Sequence, residues 1–160
     1  VETPEPDESS WREVLTTFAY KLRGTLYAHP WSTELMGTIP SMGPNAFRLQ
    51  DRLRRAFIQA GFSGVDIYLA SGTVMCFVLG QAIPDIAYTK ASGGEPLDPG
   101  DLMERMESVA ADYPEMLADY RAQIAMDPGV ARAMGFDFGL LCVLDGLEAR
   151  LRAQESGHSA

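Results

Sequence analysis

Side chains that commonly perform chemistry are scarce in this chain. Its two histidines are His29 and His158, and its two cysteines are Cys76 and Cys142. His158 lies three residues after Glu155, a spacing that di-iron proteins use on paired helices, but here it occurs once and at the end of the chain. His29 precedes a proline, which is typical of a residue at a helix end. The histidines therefore predict no metal site.

Catalytic signatures of other kinds are also missing from the sequence. It contains no glycine-rich phosphate loop, no Gly-x-Ser-x-Gly elbow and no cluster of Cys and His. Carboxylates are frequent, yet none lies in an apolar run opposite another, as a general acid and base pair would. We therefore predict that the protein is not an enzyme, has no catalytic residues and needs no cofactor.

Composition and charge restrict the class of partner. The chain has 160 residues, of which 46% are hydrophobic and 22% charged, as in a soluble globular domain. Its net charge of -9 opposes binding to DNA. One compact basic cluster occurs at helical spacing. We interpret it as a solvated helix face in preference to a nucleic-acid surface. The cluster comprises Arg48, Arg52, Arg54 and Arg55.

The ends of the chain differ in composition from its middle. Residues 1–9 are acidic and proline-rich, which predicts a linker or the edge of a fragment and is unlike a signal peptide. Residues 10–154 are expected to form one domain, and residues 155–160 a disordered tail. Cys76 and Cys142 lie in apolar runs with no disulfide framework, so a reducing cytoplasm is expected.

Helix start and stop signals divide the domain into short segments. Ser10 and Glu13 form a capping-box pattern, and Phe62 and Ile67 stand at the two positions of a hydrophobic staple around a second start signal. No segment alternates cleanly as a strand would, so we predict an all-α bundle of about seven to nine helices. The predicted segments are 11–28, 30–37, 46–60, 63–90, 99–112, one restarting at Pro114 and one introduced by Asp127 and Pro128.

The segment 63–90 is unusually apolar. Ile67 to Ile83 contains no charged residue, which approaches the roughly 20 residues that a bilayer requires. A buried helix is favoured over a membrane span, because small and polar residues interrupt the run, and we predict no membrane partner. These interruptions are Ser71, Gly72, Thr73, Gly80 and Gln81.

The final helix carries two apolar stripes. A neighbouring layer within a small domain covers one stripe, so the second requires another covering surface, for which a partner molecule is the obvious candidate. The first stripe comprises Phe136, Leu140, Val143, Leu147 and Leu151. The second comprises Phe138, Leu141 and Leu144, with Cys142 between them.

Three stretches carry a family resemblance when they are taken in order and at their approximate spacing. They are "SWREVLTTFAYKLRGTLYAHPW", "AGFSGVDIYLASGTVMCFVLG" and "FDFGLLCVLDGLEARL". Together they resemble the C-terminal helical domain of TetR-family transcriptional regulators, most closely that of tetracycline repressors, over about residues 8–154. In that family an N-terminal helix-turn-helix domain binds operator DNA, and the C-terminal domain dimerises and binds an inducer.

The resemblance implies a homodimer. In the family, the helices that correspond to 63–90 and to the final helix pack against their mates in a four-helix bundle, which would cover the second stripe. The glycines Gly80, Gly139 and Gly146 would allow close approach of the helices. The implied interface residues are Gly80, Ile83, Phe136, Gly139, Leu140, Val143 and Leu147.

The resemblance and the inward spacing together predict a pocket for a small-molecule inducer. Met36 or a neighbour stands where tetracycline repressors have a histidine that holds the magnesium-drug chelate, and Phe18 and the region of Leu53 stand where they have polar drug contacts. A small apolar or aromatic ligand is therefore expected in place of a magnesium-tetracycline chelate. The predicted pocket residues are Phe18, Leu22, Met36, Leu53, Phe57, Tyr68, Ser71 and Met75.

Two functions are consistent with these observations. The first is the inducer-binding and dimerisation domain of a TetR-family repressor, which reaches operator DNA through an N-terminal domain outside this chain. The alternative is an all-α carrier or enzyme that handles a small molecule without a DNA-binding role. An upstream reading frame of about 50 to 60 residues with a basic helix-turn-helix pattern would distinguish them.

We expect the 160-residue chain by itself to bind no DNA specifically at physiological salt. The physical reason is its acidic balance and the absence of a recognition helix with a basic flank. Gel-shift titration with genomic DNA fragments provides the measurement. A sequence-specific shift would contradict the prediction and would identify the arginine face of residues 48–55 as the reader.

Overall fold

The computed structural model describes residues 10–36, 43–93 and 99–157. Within these ranges every regular element is a helix, which confirms the all-α fold, and the seven helices fall within the predicted number. They are α1 (Trp11–Ala28), α2 (Ser32–Leu35), α3 (Pro44–Ala60), α4 (Val65–Ala91), α5 (Pro99–Val109), α6 (Pro114–Ile124) and α7 (Pro128–Gly157).

Several boundary predictions can be compared with these helices. The helix α7 continues to Gly157, beyond the end predicted at residue 154. The predicted linker at 1–9 and the last residues of the predicted tail, 158–160, lie outside the described residues. Most of the turn predicted after α2 and the middle of the loop predicted before α5 lie outside them as well.

The start of α1 is fixed by the predicted capping box. Ser10 Oγ accepts a hydrogen bond from the Glu13 backbone N–H, and the Glu13 side chain accepts one from the Ser10 backbone N–H at 2.9 Å. These bonds satisfy donors that the first helical turn would otherwise leave unpaired. The inner side of α1 then buries Phe18, Leu22 and Leu26 at helical spacing.

A short connection joins α3 to α4. Gly61 ends α3 with φ of 105°, a left-handed conformation that glycine adopts without the steric cost of a side chain. Phe62 is then buried edge-on against Phe57, with ring centroids 5.2 Å apart, and Ile67 is buried in the first turns of α4. The residues predicted for the hydrophobic staple are thus both inside the core.

The described residues form two compact units. Residues before Ala87 and after Phe138 make up the first, and Ala87–Phe138 make up the second. In the first unit α1 packs against α3, and the core is completed by α4 and the later part of α7. Its largest fully buried side chains include Phe18, Phe57, Val74 and Val78.

An ion-pair network joins the first turn of α1 to α7. Arg12 contacts Asp145 at 2.6 Å and Glu148 at 2.7 Å, and Glu148 also contacts Arg152 at 2.6 Å. The two carboxylates that Arg12 bridges are about one turn apart on α7, so one guanidinium fork spans both. The network fixes the start of α1 along α7.

The second unit contains α5, α6 and the beginning of α7. Arg121 on α6 contacts Glu107 on α5 at 2.7 Å, while Ala110 and Leu117 are buried. Asp127 caps α7, because its Oδ1 accepts hydrogen bonds from the backbone N–H groups of residues 129 and 130. The start predicted at Asp127 and Pro128 is therefore confirmed.

A polar contact connects the end of α1 with α4. The Tyr27 hydroxyl donates a hydrogen bond to Asp85 Oδ2, and the Arg23 guanidinium lies 5.5 Å from the centre of the Tyr27 ring. Burial, followed by the hydrogen bond and negative charge of Asp85, raises the pKa of Tyr27 above 10.0, and the opposing effect of Arg23 is smaller. Tyr27 thus stays neutral to a higher pH in the folded chain than in the unfolded chain.

At alkaline pH, the unfolding free energy of the Tyr27→Phe variant is expected to fall less steeply than that of the wild type. Because the pKa of Tyr27 is higher in the folded chain than in the unfolded chain, Tyr27 adds to the unfolding free energy. This contribution is complete below pH 10.0, the pKa in the unfolded chain, and is lost as the pH rises through the pKa in the folded chain. At pH 7 the variant should lose roughly 0.5 kcal/mol, since the hydrogen bond is partly exposed to water. Urea unfolding between pH 7 and 11 measures both effects.

Tyr113→Phe is the matched control, because Tyr113 is exposed. Its unfolding free energy should follow the wild-type pH profile. If the Tyr27→Phe profile also ran parallel to the wild type above pH 10, the ionisation of Tyr27 would not be the cause of the pH dependence.

Candidate functional site

A groove between α3 and α4 is the first candidate site. Its volume is about 530 Å³, within the range of small-molecule pockets. Two helical faces form its walls, because the residues in each wall recur at spacings of three and four. The lining comprises Phe47, Gln50, Asp51, Leu53 and Arg54 from α3, and Ile67, Tyr68, Ser71, Gly72 and Met75 from α4.

The groove has an apolar base and an aromatic rim. Leu53 and Ile67 are buried, whereas Phe47 and Tyr68 are 57% and 71% exposed. The Ser71 hydroxyl donates to the Ile67 backbone carbonyl at 2.8 Å. This internal bond reduces the polarity of the α4 wall, so that wall suits an apolar or aromatic body.

Charged groups occur on the α3 wall. Asp51 Oδ2 lies 3.2 Å from Arg55 Nε, and Asp51 Oδ1 lies 3.9 Å from an Arg54 terminal nitrogen. The shorter contact is within hydrogen-bond range and the longer one is outside it. Asp51 is therefore held mainly by Arg55, which does not line the groove, and more weakly by Arg54, which does.

Half of the predicted pocket residues line this groove. Leu53, Tyr68, Ser71 and Met75 are brought together in it. The other four predicted positions do not line the groove. Phe18, Leu22 and Phe57 are buried in the core, and Met36 is exposed at the end of α2.

Six groove residues are absent from the predicted set: Phe47, Gln50, Asp51, Arg54, Ile67 and Gly72. Sequence periodicity placed Phe47 on the inner side of its helix and Arg54 on a solvated face, but both lie along the groove. A signal was available in the spacing, because residues 47, 50, 51 and 54 share one helical face, as do residues 68, 71, 72 and 75. Their juxtaposition depends on how α3 and α4 pack.

The second candidate site is an exposed apolar surface on α4 and α7. Only 28% of the most apolar 18-residue stretch of α4 is buried. We call this surface the outer face and define it by exposed residues of the first unit. It comprises Leu69, Thr73, Cys76 and Gly80 from α4, and Leu141 and Cys142 from α7.

The predicted interface residues on α7 differ in their exposure within the single chain. Phe136 and Leu140 are only 1% and 3% exposed within the single chain, so they are not available to a partner. Phe138 and Leu141, from the second predicted stripe, are exposed instead. Of the other predicted interface residues, Gly80 is exposed. The rest are half-buried, namely Ile83, Gly139, Val143 and Leu147.

Gly139 allows close packing within one chain. A Cβ atom at this position would lie 2.5 Å from Phe77 Cε2, so the ring of α4 rests directly on the α7 backbone. A Cβ atom at Gly80 or Gly146 would meet no other atom within 4 Å. Gly139, one of the three glycines predicted to allow close approach of helices, therefore allows α4 and α7 to pack closely within one chain.

Two further observations bear on the class of site. In the parts of the chain that the structure describes, no three His, Cys, Asp or Glu side chains come together as a metal site. Among the same residues, α4 is long and apolar enough to cross a bilayer by length and composition alone, which is weak evidence for a membrane span.

The fold and these two surfaces define an all-helical domain with a groove and an exposed apolar face, and comparison with known proteins gives its family. Residues 3–151 match the family model described as "Tetracyclin repressor-like, C-terminal domain". The chain therefore belongs to the family of tetracycline-repressor-like C-terminal domains.

Individual relatives agree with this assignment. An HTH-type transcriptional regulator of Saccharopolyspora erythraea is 30% identical over 93% of this chain and 60% of its own length. The HTH-type transcriptional repressor DrrR1 of Streptomyces coeruleorubidus is 26% identical over 96% of this chain and 57% of its own length. The chain thus spans somewhat more than half the length of these curated relatives.

A solved structure supports the fold independently. A possible TetR family transcriptional regulator from Streptomyces coelicolor A3(2) superposes with a TM-score of 0.70 and 30% identity. The similarity covers 89% of this chain and 67% of that one.

Gly139→Ala is expected to destabilise the chain by about 1 to 3 kcal/mol, the usual range for overpacking. The new methyl group would overlap the Phe77 ring, which must move away from α7. Gly24→Ala is the control, because a Cβ at Gly24 in α1 meets nothing within 4 Å. That variant should gain about 0.5 to 1 kcal/mol from helix propensity. Denaturant unfolding measures both, and equal gains at the two positions would show that the Phe77 ring yields freely.

Proposed function

We propose that this chain is the inducer-binding and dimerisation domain of a transcriptional repressor. A small apolar or aromatic ligand binds in the groove and releases the protein from operator DNA. The observation that carries this proposal is the groove itself, with its buried apolar base and aromatic rim, in a chain of this family.

Operator DNA is bound through an N-terminal helix-turn-helix domain outside these 160 residues. Support comes from the names and lengths of the relatives, since both are HTH-type regulators and are considerably longer than the region they share with this chain. The net charge of -9 also supports the assignment of DNA binding to a separate domain, because this domain by itself repels the phosphate backbone. A regulator of chromosomal DNA would act in the cytoplasm.

The ligand acts by changing the balance between two helix arrangements. The free protein favours the arrangement that fits the operator, and the ligand binds the other arrangement more tightly. A coupling free energy of about 1 to 3 kcal/mol would lower operator affinity roughly five- to 150-fold. The helix α4 is suited to this coupling, because Tyr68 on its groove wall is followed directly by Leu69 on the outer face.

The outer face forms the interface of a homodimer in this proposal. Leu69 and Leu141 are 59% and 53% exposed in the single chain, which leaves apolar surface in water on two adjoining helices. A two-fold axis would place this surface against itself, as in a four-helix bundle. A stable interface of this kind should bury more than about 1,000 Å² with an apolar centre.

Ligand binding is tested with N-phenyl-1-naphthylamine, a neutral aromatic probe whose fluorescence increases in apolar surroundings. We expect saturable binding with one probe per chain, and Ser71→Trp should abolish it by filling the groove. Lys21→Trp adds the same side chain at an exposed position on α1 and should leave binding unchanged. Equal binding by the wild type and Ser71→Trp would show that the probe binds elsewhere.

Dimerisation is tested by sedimentation at micromolar concentration. The wild-type chain should sediment as a dimer, and Leu141→Glu should convert it to a folded monomer, because an unpaired charge would enter the interface. Leu141 is exposed in the single chain, so the substitution should spare the monomer fold, which circular dichroism checks. Ile58→Glu, at an exposed apolar position on α3, should remain dimeric. A monomeric wild-type chain would refute the proposed interface.

A further inference from the structure

The charges on the groove wall carry information about its ligand. On the α3 side, Asp51 and Arg54 line the groove, and Arg55 contacts Asp51 from outside it. The α4 side is uncharged, because its lining residues are Ile67, Tyr68 and smaller or apolar side chains. Selection by charge must therefore come from α3.

Asp51 is already neutralised within this group. Its carboxylate lies 3.2 Å from Arg55 Nε and 3.9 Å from an Arg54 terminal nitrogen. A cationic ligand would have to compete with both guanidinium groups for this single carboxylate. The local balance of two positive charges and one negative charge opposes such a ligand.

Arg54, unlike Asp51, is suited to binding a charged group of the ligand, in this case an anionic one. Its contact with Asp51, at 3.9 Å, is too long for a hydrogen bond, so this contact does not use its donors. A planar guanidinium binds a carboxylate through two parallel N–H donors, an arrangement that an ammonium group cannot reproduce. Gln50 lies on the same wall of the groove and carries an amide group that can donate hydrogen bonds.

The rest of the lining suits a flat apolar body. Phe47 and Tyr68 provide aromatic rings at the rim, and Met75 provides a flexible apolar contact further along α4. A ligand that satisfies both parts of the groove has an aromatic ring system and an acidic group at one edge.

We infer that the groove recognises an aromatic carboxylate, with its ring system between the α3 and α4 walls and its carboxylate on Arg54. This inference rests on the proposed function of the groove as a small-molecule site and specifies the chemical class of the ligand. The carboxylate approaches Arg54 on the side facing the groove, while Arg55 continues to hold Asp51.

Three isosteric probes separate charge from shape: naphthalene-2-carboxylate, naphthalene-2-carboxamide and naphthalene-2-carboxamidine. They share one ring system and carry a negative, a neutral and a positive planar group. Titration calorimetry with the wild-type chain at pH 7 should give the tightest binding for the carboxylate, about tenfold tighter than the carboxamide. The carboxamidine should bind most weakly.

Arg54→Gln should remove the advantage of the carboxylate over the carboxamide. The Arg54 side chain is 53% exposed, so the substitution should not disturb the fold, which circular dichroism checks. Arg48→Gln makes the same change of charge at an exposed position on the same helix outside the groove lining, and it should retain the preference. Arg54→Glu should reverse the order and favour the carboxamidine.

Each alternative outcome has a distinct meaning. Tightest binding of the carboxamidine would show that Asp51 controls recognition and would overturn the inference. Equal affinities for the three probes would overturn the inference but leave the groove as an apolar ligand site. Failure of all three probes to bind the folded chain at millimolar concentration would count against both this inference and the proposed function of the groove.

Discussion

Burial of two long apolar helices is the constraint on which the structure of the first unit depends. The inner sides of α4 and α7 bury residues in the same core as residues of α1 and α3, and the Phe77 ring rests on the backbone at Gly139. A helix that is apolar around much of its circumference cannot cover every side within a domain of this size. The exposed Leu69 and Leu141 are the consequence, and a second copy of the chain is the proposed cover.

The groove results from the same arrangement on another side of α4. Tyr68, Ser71 and Met75 face α3 across the groove, whereas Leu69 and Cys76 lie on the outer face. Neighbouring positions of one rigid helix thus serve the two proposed sites. A shift of α4 that accommodates a ligand would be transmitted directly to the dimer interface, which gives the proposed release from DNA a physical route.

Electrostatics complements this apolar framework at the helix ends and on α3. Arg12 fixes the first turn of α1 to Asp145 and Glu148, and Tyr27 connects the last turns of α1 to Asp85. The arginines of α3 have a different role in our proposal. Beside the groove these arginines outnumber the carboxylates. In the proposal, this excess of positive charge makes the α3 wall selective for an anion, although its arginines were predicted to form a solvated helix face.

The sequence by itself determined the helical class, most helix starts and the family resemblance. Capping residues such as Ser10 and Asp127 interact with backbone groups a few positions away, so their effect is local and can be predicted from spacing. The resemblance to TetR-family regulators, carried by three stretches in series, is confirmed by the family match over residues 3–151.

Tertiary structure alone decided which apolar residues are inside. Phe136 and Phe138 belong to two stripes of the same final helix with similar composition, yet Phe136 is buried and Phe138 is exposed. Phe47 and Phe57 differ in the same way on α3. Helical spacing specifies which residues share a side of one helix, but the neighbour of that side is set by packing between helices distant in sequence.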